Sequence, residues 1–185
     1  MKTKINIVVA LDKFAGFSKD GEIPWIKEDF AKEDLKRFKQ LTDGNICVMG
    51  RKTYEDITKF AKERGFFEKH GTILPNRECI VLSRQEDLKV DEGIILKSSL
   101  RKAIEHCDGT KKKIFIIGGE ALFVEALAWN IDTIYVTLIH KDYKCDKFFQ
   151  FRTLTNKFHI SKGIKTDSDV MQFIEYKPNL KKFKR

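Results

Sequence analysis

Short apolar runs alternate with amphipathic segments along the chain. "INIVVAL" (5–11) is rich in β-branched residues and predicts a buried strand. "NICVM" (45–49), "ECIVL" (78–82), "GIILK" (93–97), the stretch "KKKIFIIGG" (111–119) and "TIYVTLI" (133–139) predict further strands. Between the first two lies "AKEDLKRFKQL" (31–41), where Ala31, Leu35, Phe38 and Leu41 form one helical stripe and Asp34 falls inside it. This helix is expected to stop at "TDG", with Gly44 as its cap. "GRKTYEDI", "SLRKAIEHC" (capped by Ser98) and "EALFVEALA" predict three more helices, and residues 58–73 read as an irregular insertion. The chain ends in "KFHISKGI", a "TDSD" turn and "VMQFIEYK", an antiparallel hairpin pattern.

Strands alternating with helices imply an α/β fold: a mixed, mostly parallel central sheet with helices on both faces and the C-terminal antiparallel hairpin at one side. The 185 residues, 42% of them hydrophobic, suit one domain over 1–185 with a basic tail from about 178. The net charge of +9 comes mostly from Lys and Arg interleaved with acids, as on solvated helix faces; only 111–113 and the tail are basic runs. Cys47, Cys79, Cys107 and Cys145 lack paired spacing, which argues against a disulfide framework or a metal site and fits a reducing, cytoplasmic compartment. No run approaches the ~20 apolar residues of a membrane span.

In open α/β sheets, ligands bind beyond the carboxyl ends of the strands. Three loops there carry suitable chemistry: Gly50-Arg51-Lys52-Thr53, Ser83-Arg84 and Gly118-Gly119. None is a G-x-G-x-x-G fingerprint or a phosphate-binding P-loop, so each alone is weak. Together, on one sheet edge, they suit a phosphorylated dinucleotide, and Arg51, Lys52 and Arg84 favour NADP over NAD. Asp34 has two readings. It either reaches water from the edge of its stripe or lines an apolar cleft, where burial would raise its pKa. There a carboxylate can accept two parallel hydrogen bonds from an amidine-like edge.

The ordered series "DGEIPW" (20–25), "DLKRFK" (34–39), "ICVMGRKTYEDI" (46–57), "LPNR" (74–77), "IVLSR" (80–84), "IFIIGG" (114–119), "YVT" (135–137) and "CDKFF" (145–149) resembles the dihydrofolate reductases over nearly the whole chain. The resemblance implies NADPH-dependent reduction of 7,8-dihydrofolate, with antifolates as further ligands and no partner nucleic acid, membrane or second subunit. It implies that Asp34 binds the pterin and is linked to protonation at N5 through water near Trp25, with Thr137 hydrogen-bonded to the carboxylate. By the same resemblance, Phe38, Ile57, Leu74 and Ile117 wall the substrate, and Arg77, assisted by Lys39, clasps the glutamate carboxylate. Val8 and Ala10 offer main-chain carbonyls, Val8 toward pterin and Ala10 toward the cofactor. Cofactor contacts are implied for Gly50, Arg51, Lys52, Thr53, Ser83, Arg84, Lys97, Gly118, Gly119, Glu120, Ala121, Leu122 and Phe123, with a cis peptide joining the two glycines. Gly16 to Ile23 form the loop over the nicotinamide, and Asp146 hydrogen-bonds it.

The chain departs from the pattern in places. A few extra residues between Trp25 and Asp34 make Asp29 a rival for the acid, although Asp-x-x-x-Phe-Lys preserves the helical face only from Asp34. Phe123 stands where many members have Tyr, and Asn76 where Gly is usual before the arginine. Two alternatives differ in testable ways. A riboflavin-biosynthesis reductase would lack the pairing of Asp-x-x-x-Phe-Lys with Leu-Pro-x-Arg. A nucleic-acid-binding or virion structural protein would show a base-stacking motif or a basic stripe, and neither is found.

Overall fold

The computed structural model describes residues 3–85, 87–166 and 169–179. In chain order the elements are β1 (Ile5–Leu11), β2 (Gly16–Ser18), α1 (Ala31–Thr42), β3 (Ile46–Gly50), α2 (Arg51–Glu63), α3 (Phe66–His70), β4 (Glu78–Leu82), β5 (Ile94–Lys97), α4 (Leu100–His106), β6 (Ile114–Gly118), α5 (Glu120–Ala126), β7 (Thr133–Ile139), β8 (Lys147–Phe148), α6 (Phe151–Lys157), β9 (Phe158–Lys165) and β10 (Met171–Pro178). Every apolar run singled out above is a strand.

Eight strands form one sheet in the order β5-β4-β3-β6-β1-β7-β10-β9, and β2 pairs with β8 in a separate ribbon. Pairing is parallel from β5 through β7 and antiparallel where β10 meets β7 and β9. The parallel strands are apolar on both faces. On β3, Ile46 and Val48 join a core with Leu100 and Ala103 of α4 and Leu122 and Ala126 of α5. Cys47 and Met49, pointing the other way, join one with Tyr54 of α2. A third cluster, Trp25, Ala31, Ile139 and Phe173, seats the start of α1 on β7 and β10.

The register leaves an opening at the centre of the sheet. β1 pairs with β6 only from Ile5↔Ile114 to Ile7↔Ile116, whereas its ladder with β7 continues to Leu11↔Leu138. Beyond Ile7, among the described residues, β1 has no further paired position on β6. Here too the chain leaves adjacent strands in opposite directions, from β1 toward β3 and from β6 toward β7. That is the switch point at which α/β sheets place ligands.

Some expectations need correction. The fourth helix is capped by Ser99, whose side chain accepts from Lys102 N, rather than by Ser98. The C-cap of α1 is Asp43, and Gly44 follows it in the left-handed region (φ 68). Residues 58–73 are largely helical: α2 runs to Glu63 and α3 follows. The short elements β2, β8, α3 and α6 were not anticipated, being too brief for a periodic signal. Part of the "TDSD" turn and most of the basic tail lie outside the described residues. Among the described residues, no helix is long and apolar enough to cross a membrane.

Ile116 is fully buried at the last β1–β6 pairing position. Ile116→Ala should lower the unfolding free energy by about 2–5 kcal/mol, measured as a reduced urea midpoint at unchanged slope.

Candidate active site

The helical register of α1 turns Asp34 toward the sheet. Thr137 Oγ1 donates to Asp34 Oδ1 at 2.6 Å, and Thr137 pairs with Ala10 across the β1–β7 ladder. The carboxylate thus sits over β7 beside the free end of β1. Burial raises its pKa, opposed by the Thr137 hydrogen bond and the charge of Arg37. Asp29 is excluded as the rival acid, because it lies at the surface in an ion pair with Lys32 at 2.9 Å.

The apolar residues singled out from the sequence come together in one cluster. Phe38, Ile57, Leu74 and Ile117 are all partly buried and pack against the Cys47–Met49–Tyr54 core, bringing α1, α2, the turn after α3 and β6 to one wall. Ala10 packs against the Trp25 cluster, and half-buried Val8 lies opposite Tyr135 of β7. Trp25 is 1% exposed, edge-on to Tyr143. Its Nε1 makes no hydrogen bond within the described protein. A buried donor left unpaired is costly, which makes Nε1 a natural partner for water or ligand.

Arg77 is held at the outer end of the wall. Nε donates to Thr42 Oγ1 at 3.1 Å, Nη1 to the Pro75 carbonyl and Nη2 to the Lys39 carbonyl at 3.2 Å. Thr42, fully buried, in turn donates to the Phe38 carbonyl. Sequence reasoning missed Thr42, which looks like an ordinary helix end. Lys39 contributes its carbonyl, and its side chain is at the surface. Asn76 has φ 63 and donates to Asp43 Oδ2 at 3.0 Å. Asn tolerates the left-handed region better than most residues, which explains its place where Gly is usual.

On the other side of the switch point two glycine turns face each other. Gly50 is the N-cap of α2 and Gly119 that of α5, and the Gly118–Gly119 peptide is cis, as the resemblance implies. A Cβ on Gly50 would lie 3.7 Å from Gly119 N, and one on either Gly118 or Gly119 would lie 3.4 Å from Thr53 Oγ1. Gly118 also has φ 130, so a side chain there would be strained. Bare main chain, a hydroxyl and the start of α2 make a cradle that suits a pyrophosphate.

The cations follow along the sheet edge, because Gly50 pairs with Leu82 and Leu82 with Lys97. Arg51 and Lys52 thus lie beside Ser83, Arg84 and Lys97. Ser83 N donates to the Lys97 carbonyl at 3.0 Å, and Ser83 Oγ accepts from Gln85 N. Arg51 bonds Glu55 at 2.6 Å in a half-exposed pair, a weak interaction that a phosphate can displace. Arg84 is exposed. Of the residues after the glycines, Glu120 and Ala121 are exposed, whereas Leu122 and Phe123 are buried. Leu122 belongs to the core. The Phe123 ring stacks edge-on with Phe17 and Phe149, its edge 3.6 Å from where a Gly118 Cβ would be. A phenylalanine suits this dry packing better than a tyrosine whose hydroxyl would need a partner.

The loop 16–23 is tied down at its base. Asp12, 1% exposed, accepts from Phe14 N, Gly16 N and Tyr143 N. Gly16 is packed so closely that a Cβ would fall 2.3 Å from Cys145 Cβ. Asp146 accepts from Asp20 N at 3.0 Å, as the resemblance implies, while Gly21 lies over Lys52 and Ile23 is exposed. Asp12 was not singled out from sequence, where it reads as the end of a strand.

A half-buried acid beside the end of β1, across the sheet switch point from glycine turns and basic side chains that suit a phosphorylated dinucleotide, is the arrangement of an α/β oxidoreductase site. The family model described as dihydrofolate reductase matches residues 4–181. The dihydrofolate reductase of Bacillus subtilis is 32% identical over 145 residues, covering 78% of this chain and 74% of that protein. That of Staphylococcus haemolyticus is 29% identical over 168 residues, covering 90% and 89%. In fold, a dihydrofolate reductase from Enterococcus faecalis, complexed with NADP(H) and RAB-propyl, superimposes with a TM-score of 0.78 at 24% identity, covering 97% of this chain and 98% of that one. The chain belongs to the dihydrofolate reductase family.

The raised pKa of Asp34 has a sign for stability. The folded state holds this proton more tightly than the unfolded one, so ionising Asp34 costs stability as pH rises through its folded pKa. Asp34→Asn should therefore be more stable than the parent near neutrality by about 0.5–2 kcal/mol. The difference should vanish as pH falls below the ordinary carboxylate range, which urea melts across pH will show.

Proposed function

We propose that this cleft carries out the family's reaction, the NADPH-dependent reduction of 7,8-dihydrofolate to 5,6,7,8-tetrahydrofolate, with Asp34 as its acid. The observation that carries this reading is the Asp34–Thr137 pair beside the end of β1, a half-buried carboxylate on the same helix as the apolar wall residue Phe38. When bound, NADPH supplies the hydride that pterin C6 receives.

The rest falls to the chain's own residues. Asp34 accepts hydrogen bonds from the pterin N3 and 2-amino group, fixing the ring's orientation, and Thr137 keeps the carboxylate aimed. Protonation at N5 makes C6 electrophilic. Asp34 promotes it through water, and the unpaired Trp25 Nε1 is a donor for that water. Phe38, Ile57, Leu74 and Ile117 hold the flat rings and exclude solvent. Arg77, preset by three hydrogen bonds, receives the substrate carboxylate at little ordering cost. Gly50, Thr53, Gly118 and Gly119 hold the cofactor pyrophosphate, and Arg51, Lys52 and Arg84 its ribose phosphate, with the loop from Gly16 to Ile23 shutting out water. An antifolate with the same amidine edge would take the place of the pterin. Four unpaired, buried cysteines support a cytoplasmic location.

Loss of NADPH absorbance in the presence of dihydrofolate tests the assignment. Asp34→Asn should lower kcat at neutral pH by about 10²–10⁴, with partial recovery as pH falls and solvent supplies the proton. Parental turnover would refute the role given to Asp34. Arg77→Leu should raise KM for dihydrofolate about 10- to 100-fold with a smaller effect on kcat, because the lost contact is remote from the reacting atoms.

A further inference from the structure

Arg37 lies three residues beyond Asp34 on α1, a spacing that puts both on one side of the helix. Its neighbours Lys32, Lys36 and Lys39 are exposed, but Arg37 is half-buried. Nη1 donates to the Val136 carbonyl at 3.1 Å, next in sequence to the Thr137 that holds Asp34. The guanidinium carbon is 4.3 Å from the centre of the Phe173 ring and 5.9 Å from that of Tyr135. Nη2 is buried without a hydrogen-bond partner, and among the described residues Arg37 makes no ion pair. The ionisable groups that face it are Asp34 on its own helix, Tyr135 on β7 and Glu175 on β10.

This is a poor place for a cation kept only for packing. An apolar residue would cover Phe173 without burying an unpaired N–H. A guanidinium stays protonated here, since burial lowers its pKa from a very high starting value. Its field at Asp34 is little screened, because both groups lie partly out of water.

We propose that Arg37 is a positioning residue for the reductase reaction, a fixed positive charge behind Asp34 that opposes the effect of burial and sets the pH at which the carboxylate ionises. It acts through Asp34 and touches neither substrate nor cofactor. The inference rests on the assignment of Asp34 as the acid of the site. The direction of the Arg37 effect on the carboxylate, downward, agrees with this geometry.

The test is a pH titration of the Asp34 side-chain carboxyl carbon in full-length, ¹³C-aspartate-labelled protein, the resonance being assigned by its loss in Asp34→Asn. Arg37→Gln, and replacement of Arg37 by its neutral isostere citrulline, should each raise the midpoint by about 0.5 unit or more, roughly threefold in the protonation equilibrium. Arg37→Lys should restore most of the shift, and the pH profile of kcat should move in the same direction in each variant. A packing role alone would leave the citrulline protein unchanged. A midpoint within about 0.2 unit of the parent in that protein, or any downward shift, overturns the proposal. If Arg37→Gln does not fold, the citrulline protein decides. Should Asp34→Asn keep parental turnover, the functional reading fails, while the titration still reports whether Arg37 controls this carboxylate.

Discussion

A carboxylate held over the edge of an interrupted β ladder by one threonine hydroxyl is the constraint around which this protein is organised. A carboxylate partly removed from water is costly to ionise, and among the described residues the Thr137 hydroxyl at 2.6 Å and the charge of Arg37 oppose that cost. For Thr137 to meet Asp34, α1 must cross above β1 and β7 in one register. Ala31 and the Trp25 cluster fix that register from one end, and Thr42, bonded to both Phe38 and Arg77, fixes it from the other. Asp34 and the Arg77 guanidinium are thus both positioned by one twelve-residue helix.

The sheet supplies the second half of the arrangement. Because β1 and β6 part after Ile7 and Ile116, an opening forms where the chain leaves the two strands in opposite directions. The Gly50 and Gly118–Gly119 turns bring main chain close to main chain beside it, and the positive φ of Gly118 disfavours any side chain there. The opening beside β1 and the glycine turns therefore share one boundary, set by fold topology rather than by any single side chain.

Much of this was legible in the residues. The β-branched runs identified every parallel strand, and the stripe of α1 exposed Asp34 as an acid out of place. The helical face favoured Asp34 over Asp29, and the tertiary contact with Thr137, distant in sequence, and the surface ion pair of Asp29 agree with that preference. Asp12, Thr42 and Arg37 were passed over for one physical reason. Each is an unremarkable residue at a strand end, a helix end or among lysines, and its importance lies in long-range partners such as Tyr143, Arg77 and Val136. Helix α3 and the β2–β8 ribbon escaped because elements of a few residues have no period to read.

Binding of a 2,4-diaminopyrimidine, followed by quenching of protein fluorescence in parent and Asp34→Asn proteins at neutral pH, probes the central claim most directly. A carboxylate that grips the amidine edge predicts a loss of about 100-fold or more in affinity, as for removal of one partner from a buried charged pair. Equal affinity in the two proteins would show that the ring is held elsewhere and would contradict the account.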